Sequence, residues 1–143
     1  MRIVLDTNVL VSALLSPHGP PARLLDLILA GKVRLLVDDR ILDEYREVLL
    51  RPRFGFDPDD VATLLSFFET AAERVLAGPP PLVLSDPDDL PFAETAVAGN
   101  ADALVTGNPR HFPGSRLPRG LRVATPTAFL RDHGAASPAP RDD

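Results

Sequence analysis

The stretch Arg2-Ile3-Val4-Leu5-Asp6-Thr7-Asn8-Val9-Leu10-Val11-Ser12-Ala13-Leu14 decides the fold. Arg2 to Leu5, ended by Asp6, has the pattern of a strand buried on both faces. A strand this early in the chain is expected at the centre of a sheet. Val9, Leu10, Ala13 and Leu14 then recur at helical spacing, and Ser16-Pro17-His18-Gly19-Pro20 breaks the helix.

Outward from that unit, strand and helix patterns alternate. Pro21 opens a second helix striped by Leu24, Leu25, Leu27 and Ile28, and Val33 to Val37 reads as strand two. Asp38 or Asp39 caps a helix from Arg40 to about Leu50, which stops before Pro52. Asp57-Pro58-Asp59-Asp60 opens the longest helix, and Gly78-Pro79-Pro80-Pro81 reads as a stiff connector. Leu82-Val83-Leu84 is expected as strand three, and Asp86 to Asp89 leads into a helix ending near Gly99. Ala103 to Thr106 is strand four, Leu121 to Val123 is strand five, and Pro126 to Arg131 is a last helix. The alternation predicts an α/β fold with a mostly parallel sheet. One domain is expected over residues 1–132, followed by a disordered tail over 133–143.

Composition narrows the functions available. The 143 residues suit a single domain. With 20 acidic and 15 basic side chains, the net charge is −5, so nucleic acid cannot be held by bulk positive charge and must meet a local patch. The absence of cysteine excludes disulfides, thiolate zinc sites and a cysteine nucleophile. No apolar stretch approaches the ~20 residues that span a bilayer. The N-terminal residues read as a strand rather than a signal peptide, so a cytoplasmic protein without membrane attachment is expected.

The carboxylates carry the chemistry. Asp6 follows the first strand, Asp86, Asp88 and Asp89 follow the expected third, and Thr106 and Asn108 lie just after the fourth. Glu44 borders the apolar stripe Ile41, Tyr45, Val48 and Leu49, while Asp43 and Glu47 are better placed to face water. Each feature has a plainer reading. Asp6 can cap the first helix, Asp86 to Asp89 can be one cap with solvated first-turn acids, and Glu44 can be a surface residue. His18, His111 and His133 read as loop residues. Together, though, Asp6, Glu44 and Asp89 suggest a cluster, and carboxylates ~4 Å apart repel by about 4 kcal/mol per pair at an effective dielectric near 20. Protons or a cation must neutralise such a cluster. Without Cys or a His pair, a hard oxygen-bound ion, Mg²⁺ or Mn²⁺, fits, and such a site suits phosphodiester chemistry.

Four segments resemble the PIN-domain nucleases, in particular the bacterial branch of toxin components of toxin–antitoxin (VapBC-type) pairs. They are Ile3 to Leu14; Ile41 to Leu49 with Arg51-Pro52-Arg53-Phe54; Asp86-Pro87-Asp88-Asp89 with Ala93 and Ala96; and Ala101 to Asn108. The resemblance places the family's first two acids on Asp6 and Glu44. It places the third on Asp89 rather than Asp88, because Ala93 and Ala96 fall four and seven residues beyond Asp89. The fourth position, often Asp, is Asn108; where some relatives carry an acid three residues later, this chain has His111.

The resemblance implies an α/β/α sandwich with strand order 3-2-1-4-5. It also implies a Mg²⁺- or Mn²⁺-dependent endoribonuclease with Asp6, Glu44 and Asp89 at the metal and Asn108 and Thr106 assisting. RNA is the implied substrate, a cognate antitoxin and a second copy of the chain the implied partners. Arg51, Arg53, Arg110, Arg116, Arg119 and Arg122 are candidate phosphate contacts. The alternative is a degenerate domain that binds RNA or protein without cutting, motivated by Asn108. A receiver-like or phosphatase-like domain fits less well: the first lacks a late lysine, and the second has Asn8 where an acid is required.

Overall fold

Strand β1 (Arg2–Leu5) is the spine of a parallel sheet and buries Ile3, Val4 and Leu5. The computed structural model describes residues 1–76 and 82–133. The connector expected at 78–81 lies outside these residues, as does the expected tail beyond His133; His133 itself, expected in the tail, is helical and meets Arg122. On one side β1 pairs with β2 (Arg34–Val37) through Arg2↔Arg34 and Ile3↔Leu35. On the other it pairs with β4 (Ala103–Val105) through Ile3↔Ala103, Val4↔Leu104 and Leu5↔Val105. With β3 (Glu73–Arg74) and β5 (Arg122–Ala124) at the edges, the order is β3-β2-β1-β4-β5 and every pairing is parallel. Parallel neighbours need long crossovers, and helices provide them. These are α1 (Thr7–Leu15), α2 (Pro20–Leu29), α3 (Asp39–Leu49), α4 (Pro58–Ala71), α5 (Leu90–Ala98) and α6 (Pro126–His133). The expected α/β sandwich with a five-stranded sheet is the fold observed. No described helix is long and apolar enough to cross a membrane.

Strand three corrects the sequence reading. Leu82 to Leu84 forms no strand, and Val83 is 68% exposed. The third strand is instead Glu73–Arg74, directly after α4, pairing Leu36↔Glu73 and Val37↔Arg74. An edge strand needs no apolar run, and charge on it discourages pairing with another chain. Glu73 reaches Arg2 at 2.6 Å, and Arg74 reaches Asp39 at 2.8 Å. Two ion-paired residues leave no apolar alternation to read.

Helix α3 is placed by one residue in particular. Its N-cap is Asp38, whose Oδ1 accepts from the Ile41 amide at 2.9 Å. Ile41, Tyr45 and Leu49 are fully buried along one face. Beyond the end of the β1–β2 register, the Tyr45 hydroxyl donates to the Leu5 carbonyl at 2.6 Å. That bond satisfies a buried backbone acceptor and sets the height of α3 against β1. Burial raises the Tyr45 pKa well above the usual phenol value, so the hydroxyl keeps its proton.

Tyr45→Phe keeps the ring and leaves the Leu5 carbonyl unpaired. The expected loss is about 1–3 kcal/mol of stability, read from the urea midpoint at constant slope. An unchanged midpoint would show that another group takes over this carbonyl.

Candidate active site

The carboxyl ends of β1 and β4, where strand order reverses, are where an open parallel sheet forms a crevice. Asp6 stands there. Its amide donates to the Val105 carbonyl at 2.9 Å, which locks the residue to β4. It occupies the N-cap position of α1, yet its side chain makes no cap hydrogen bond. Instead its Oδ2 accepts from the Thr106 hydroxyl at 2.8 Å. Thr106 is fully buried, and its Oγ1 also accepts from the Asn108 amide at 3.0 Å. Asn8 closes the same junction, its Oδ1 accepting from the Gly107 amide at 3.1 Å.

Asp89 arrives from a different direction than the sequence reading expects. It ends a single 3₁₀ turn, Pro87–Asp89, ahead of α5, rather than following a strand. Asp86 caps that turn by accepting from the Asp88 amide at 2.9 Å. Asp86 and Asp88 are exposed, whereas Asp89 is buried. Its Oδ2 is fully buried and has no hydrogen-bond partner. His111 Nδ1 approaches that oxygen to 3.2 Å without hydrogen-bond geometry.

Glu44 is half-buried on α3, and the Thr7 hydroxyl lies 3.4 Å from its Oε2. Asp6, Glu44, Asp89 and His111 line one cleft of about 420 Å³. Asn108 does not line it. Its amide Nδ2 lies 2.9 Å from His111 Nε2, so it backs the histidine. The other ring nitrogen, Nδ1, faces Asp89.

His111 is the residue that sequence reading missed, having assigned it to a loop. A signal was present. Pro109 starts a 3₁₀ turn, Pro109–His111, and residues three apart in such a turn fall on the same side. Of the six candidate phosphate contacts, only Arg51 and Arg53 line the cleft. Arg116 donates to the Val83 carbonyl, Arg122 pairs with Asp132, and Arg119 lies in a separate depression beside Asn100 and Asp102.

The cleft is electrostatically uncomfortable for its own acids. Burial raises the pKa of Asp6, opposed by the Thr106 hydrogen bond. Burial and then the charge of Glu47 raise that of Glu44. Burial, reinforced by the Asp6 charge and opposed by His111, pushes Asp89 up to about 6. Among the described residues no three His, Asp or Glu side chains converge to enclose a metal ion. Mg²⁺ does not require such a cage, since it is commonly held by one or two carboxylates plus water and substrate phosphate. The buried Asp89 oxygen, without a regular hydrogen bond and close enough to Asp6 to feel its charge, suits that mode.

The family model described as "PIN domain" matches residues 2–110. The uncharacterized protein MJ1680 of Methanocaldococcus jannaschii is 29% identical over 111 residues, covering 76% of this chain and 71% of that protein. VapBC2 from Rickettsia felis, solved bound to a DNA fragment from their promoter, superposes with a TM-score of 0.54 and 21% identity, covering 86% of this chain and 97% of that one. VapBC-1 from nontypeable Haemophilus influenzae superposes with a TM-score of 0.55 and 18% identity, covering 89% and 99%. At these identities the two structures establish the shared fold.

The raised pKa of Asp89 links stability to pH in metal-free protein. Its folded value of about 6 lies above the unfolded 3.8, so the native state binds the extra proton. Stability from this group is complete below about pH 4 and is lost as pH rises through about 6. Asp89→Asn in EDTA should therefore melt above the wild type at pH 7 by about 2–3 kcal/mol in stability, with the gap closing near pH 4. A gap independent of pH would show that Asp89 is not strained.

Proposed function

Because the chain belongs to the PIN domain family, we propose that it is a divalent-metal-dependent endoribonuclease, the toxin of a toxin–antitoxin pair. One observation carries the reading: a buried carboxylate oxygen on Asp89 that makes no regular hydrogen bond and is approached by His111 Nδ1 at 3.2 Å, in the same cleft as Asp6 at the carboxyl end of the central strands. Asp6 and Asp89 would hold Mg²⁺ or Mn²⁺, with Glu44 completing the shell through water. The ion, when bound, supplies a polarised water and neutralises charge developing on phosphate.

The chain's own side chains do the rest. Thr106 fixes the Asp6 carboxylate, and the Asn108–His111 pair fixes the side of the cleft next to Asp89. Glu44, with a pKa already raised, orients the attacking water and accepts its proton. In-line attack leaves 5′-phosphate and 3′-hydroxyl ends. An antitoxin would cover the acidic cleft with a basic side chain, and a second copy of the chain would form a homodimer. Such an enzyme acts on cytoplasmic RNA. The alternative, a binding module that no longer cuts, rests on the neutral Asn108. Three strained carboxylates count against it, because binding alone gains nothing from them.

Cleavage of single-stranded RNA should vanish in EDTA and return with Mg²⁺ or Mn²⁺; undiminished activity in EDTA would sink the metal reading. Asp6→Asn, Glu44→Gln and Asp89→Asn should each lower activity by 100-fold or more while leaving the melt unchanged or raised. Asp88→Asn should be near neutral, its side chain being exposed.

Asn108→Asp tests the fourth position. It replaces a donor to His111 with a carboxylate, so stability in EDTA should fall and the gain on adding Mg²⁺ should grow. Equal metal-induced shifts in the two proteins would remove residue 108 from the metal's surroundings.

A further inference from the structure

Arg53 and Phe54 line one side of the cleft, within the segment Pro52-Arg53-Phe54-Gly55-Phe56, whose geometry is specific. Pro52–Phe54 forms a 3₁₀ turn that ends at Gly55 in the left-handed region, φ +68°. That reversal, which a side chain at 55 would strain, folds Phe56 back onto Phe54. The two rings stack with centroids 5.7 Å apart and planes 15° apart. Phe56 sits in an apolar groove with Leu25, Leu29 and Val61, so it anchors the pair. Phe54 borders the acidic cleft, and the Arg53 guanidinium carbon lies 4.8 Å from the centre of its ring.

The two arginines of the cleft differ in their freedom. Arg51 is held by Glu47, with nitrogen–oxygen distances of 3.0 to 3.1 Å. Arg53 is exposed and forms no ion pair among the described residues. A cation over an aromatic face is restrained by the ring's quadrupole and loses less freedom when it binds. Its N–H edges stay open to an anion, and a guanidinium matches a phosphate in two-point contact. The surrounding cleft is acidic on a chain of net charge −5, so an uncompensated cation there has a large effect on a phosphate-bearing strand.

Building on the nuclease reading, we propose that Arg53, restrained by the anchored Phe54, is the phosphate clamp that seats single-stranded RNA in this cleft. Arg53 touches the substrate, and Phe54 is a positioning residue that acts through it. Arg51 is already neutralised and contributes little.

The test uses the 143-residue chain carrying Asp6→Asn, so that a labelled 12-nucleotide single-stranded RNA survives, with affinity measured across a salt series in Mg²⁺. Arg53→Gln should weaken binding about tenfold and reduce the slope of log affinity against log salt by about 0.7, one phosphate contact. Arg119→Gln removes the same charge far from the cleft and should change neither. Arg53→Lys should keep the slope but recover only part of the affinity. Phe54→Leu should weaken binding when Arg53 is present and add little to Arg53→Gln. With Asp6 restored, Arg53→Gln should raise KM with kcat nearly unchanged.

Equal effects of the Arg53 and Arg119 changes would overturn the clamp, as would additive effects of Phe54→Leu and Arg53→Gln. RNA cleavage by the wild type that Arg53→Gln leaves unchanged in KM refutes the clamp alone. Protein that neither binds nor cleaves RNA refutes the nuclease reading and the clamp with it.

Discussion

A single hydrogen bond organises this molecule: the buried Thr106 hydroxyl donating to the Asp6 carboxylate at 2.8 Å. A carboxylate at the end of the central strand has lost much of its water, and burial raises its pKa. Thr106 supplies the compensating donor from just beyond the end of β4, on the far side of the strand reversal. The same oxygen then accepts from the Asn108 amide, so one side chain fixes the acid and starts the turn that carries His111. Parallel register makes this possible, since Leu5↔Val105 brings residues 6 and 106 side by side.

From that junction the rest of the cleft is positioned by rigid parts. Tyr45 bolts α3 to the Leu5 carbonyl, and its neighbour Glu44 is thereby held at the cleft's border. Asp86 caps the turn that turns Asp89 inward and leaves Asp88 in water. Each acid comes from a separate element, and each is stabilised by packing or a hydrogen bond elsewhere. The fold tolerates the resulting strain because none of the three sits in the hydrophobic core itself.

Charge is distributed to match. The acids are buried or half-buried, with His111 beside Asp89 as their basic neighbour; the ion pairs of Lys and Arg lie mainly on the surface, where they contribute little. Arg53 is the exception, a cation kept at the cleft by an aromatic ring instead of by a carboxylate. On the proposed reading, an acidic protein would meet a polyanion through one restrained contact, without a basic face.

The apolar run ahead of Asp6, the helical stripes and the cap residues were legible in the sequence because they are local. Burial period, N-cap chemistry and proline placement need no knowledge of distant partners, so the α/β class, β1 at the centre and five of the six helices' starting residues followed to within about two positions. Strand three did not follow. Glu73–Arg74 is a strand only because β2 offers it an edge and Arg2 and Asp39 offer it ion pairs, none of which is local. The site divides the same way. Asp6, Glu44 and Asp89 could be nominated only together, with Asp89 picked over Asp88 by the family resemblance, and the buried Asp89 oxygen with His111 beside it exists only once β1, β4 and α5 are packed. Local pattern determines which residues can form an element; what a side chain faces is set by elements remote in sequence, through register and burial.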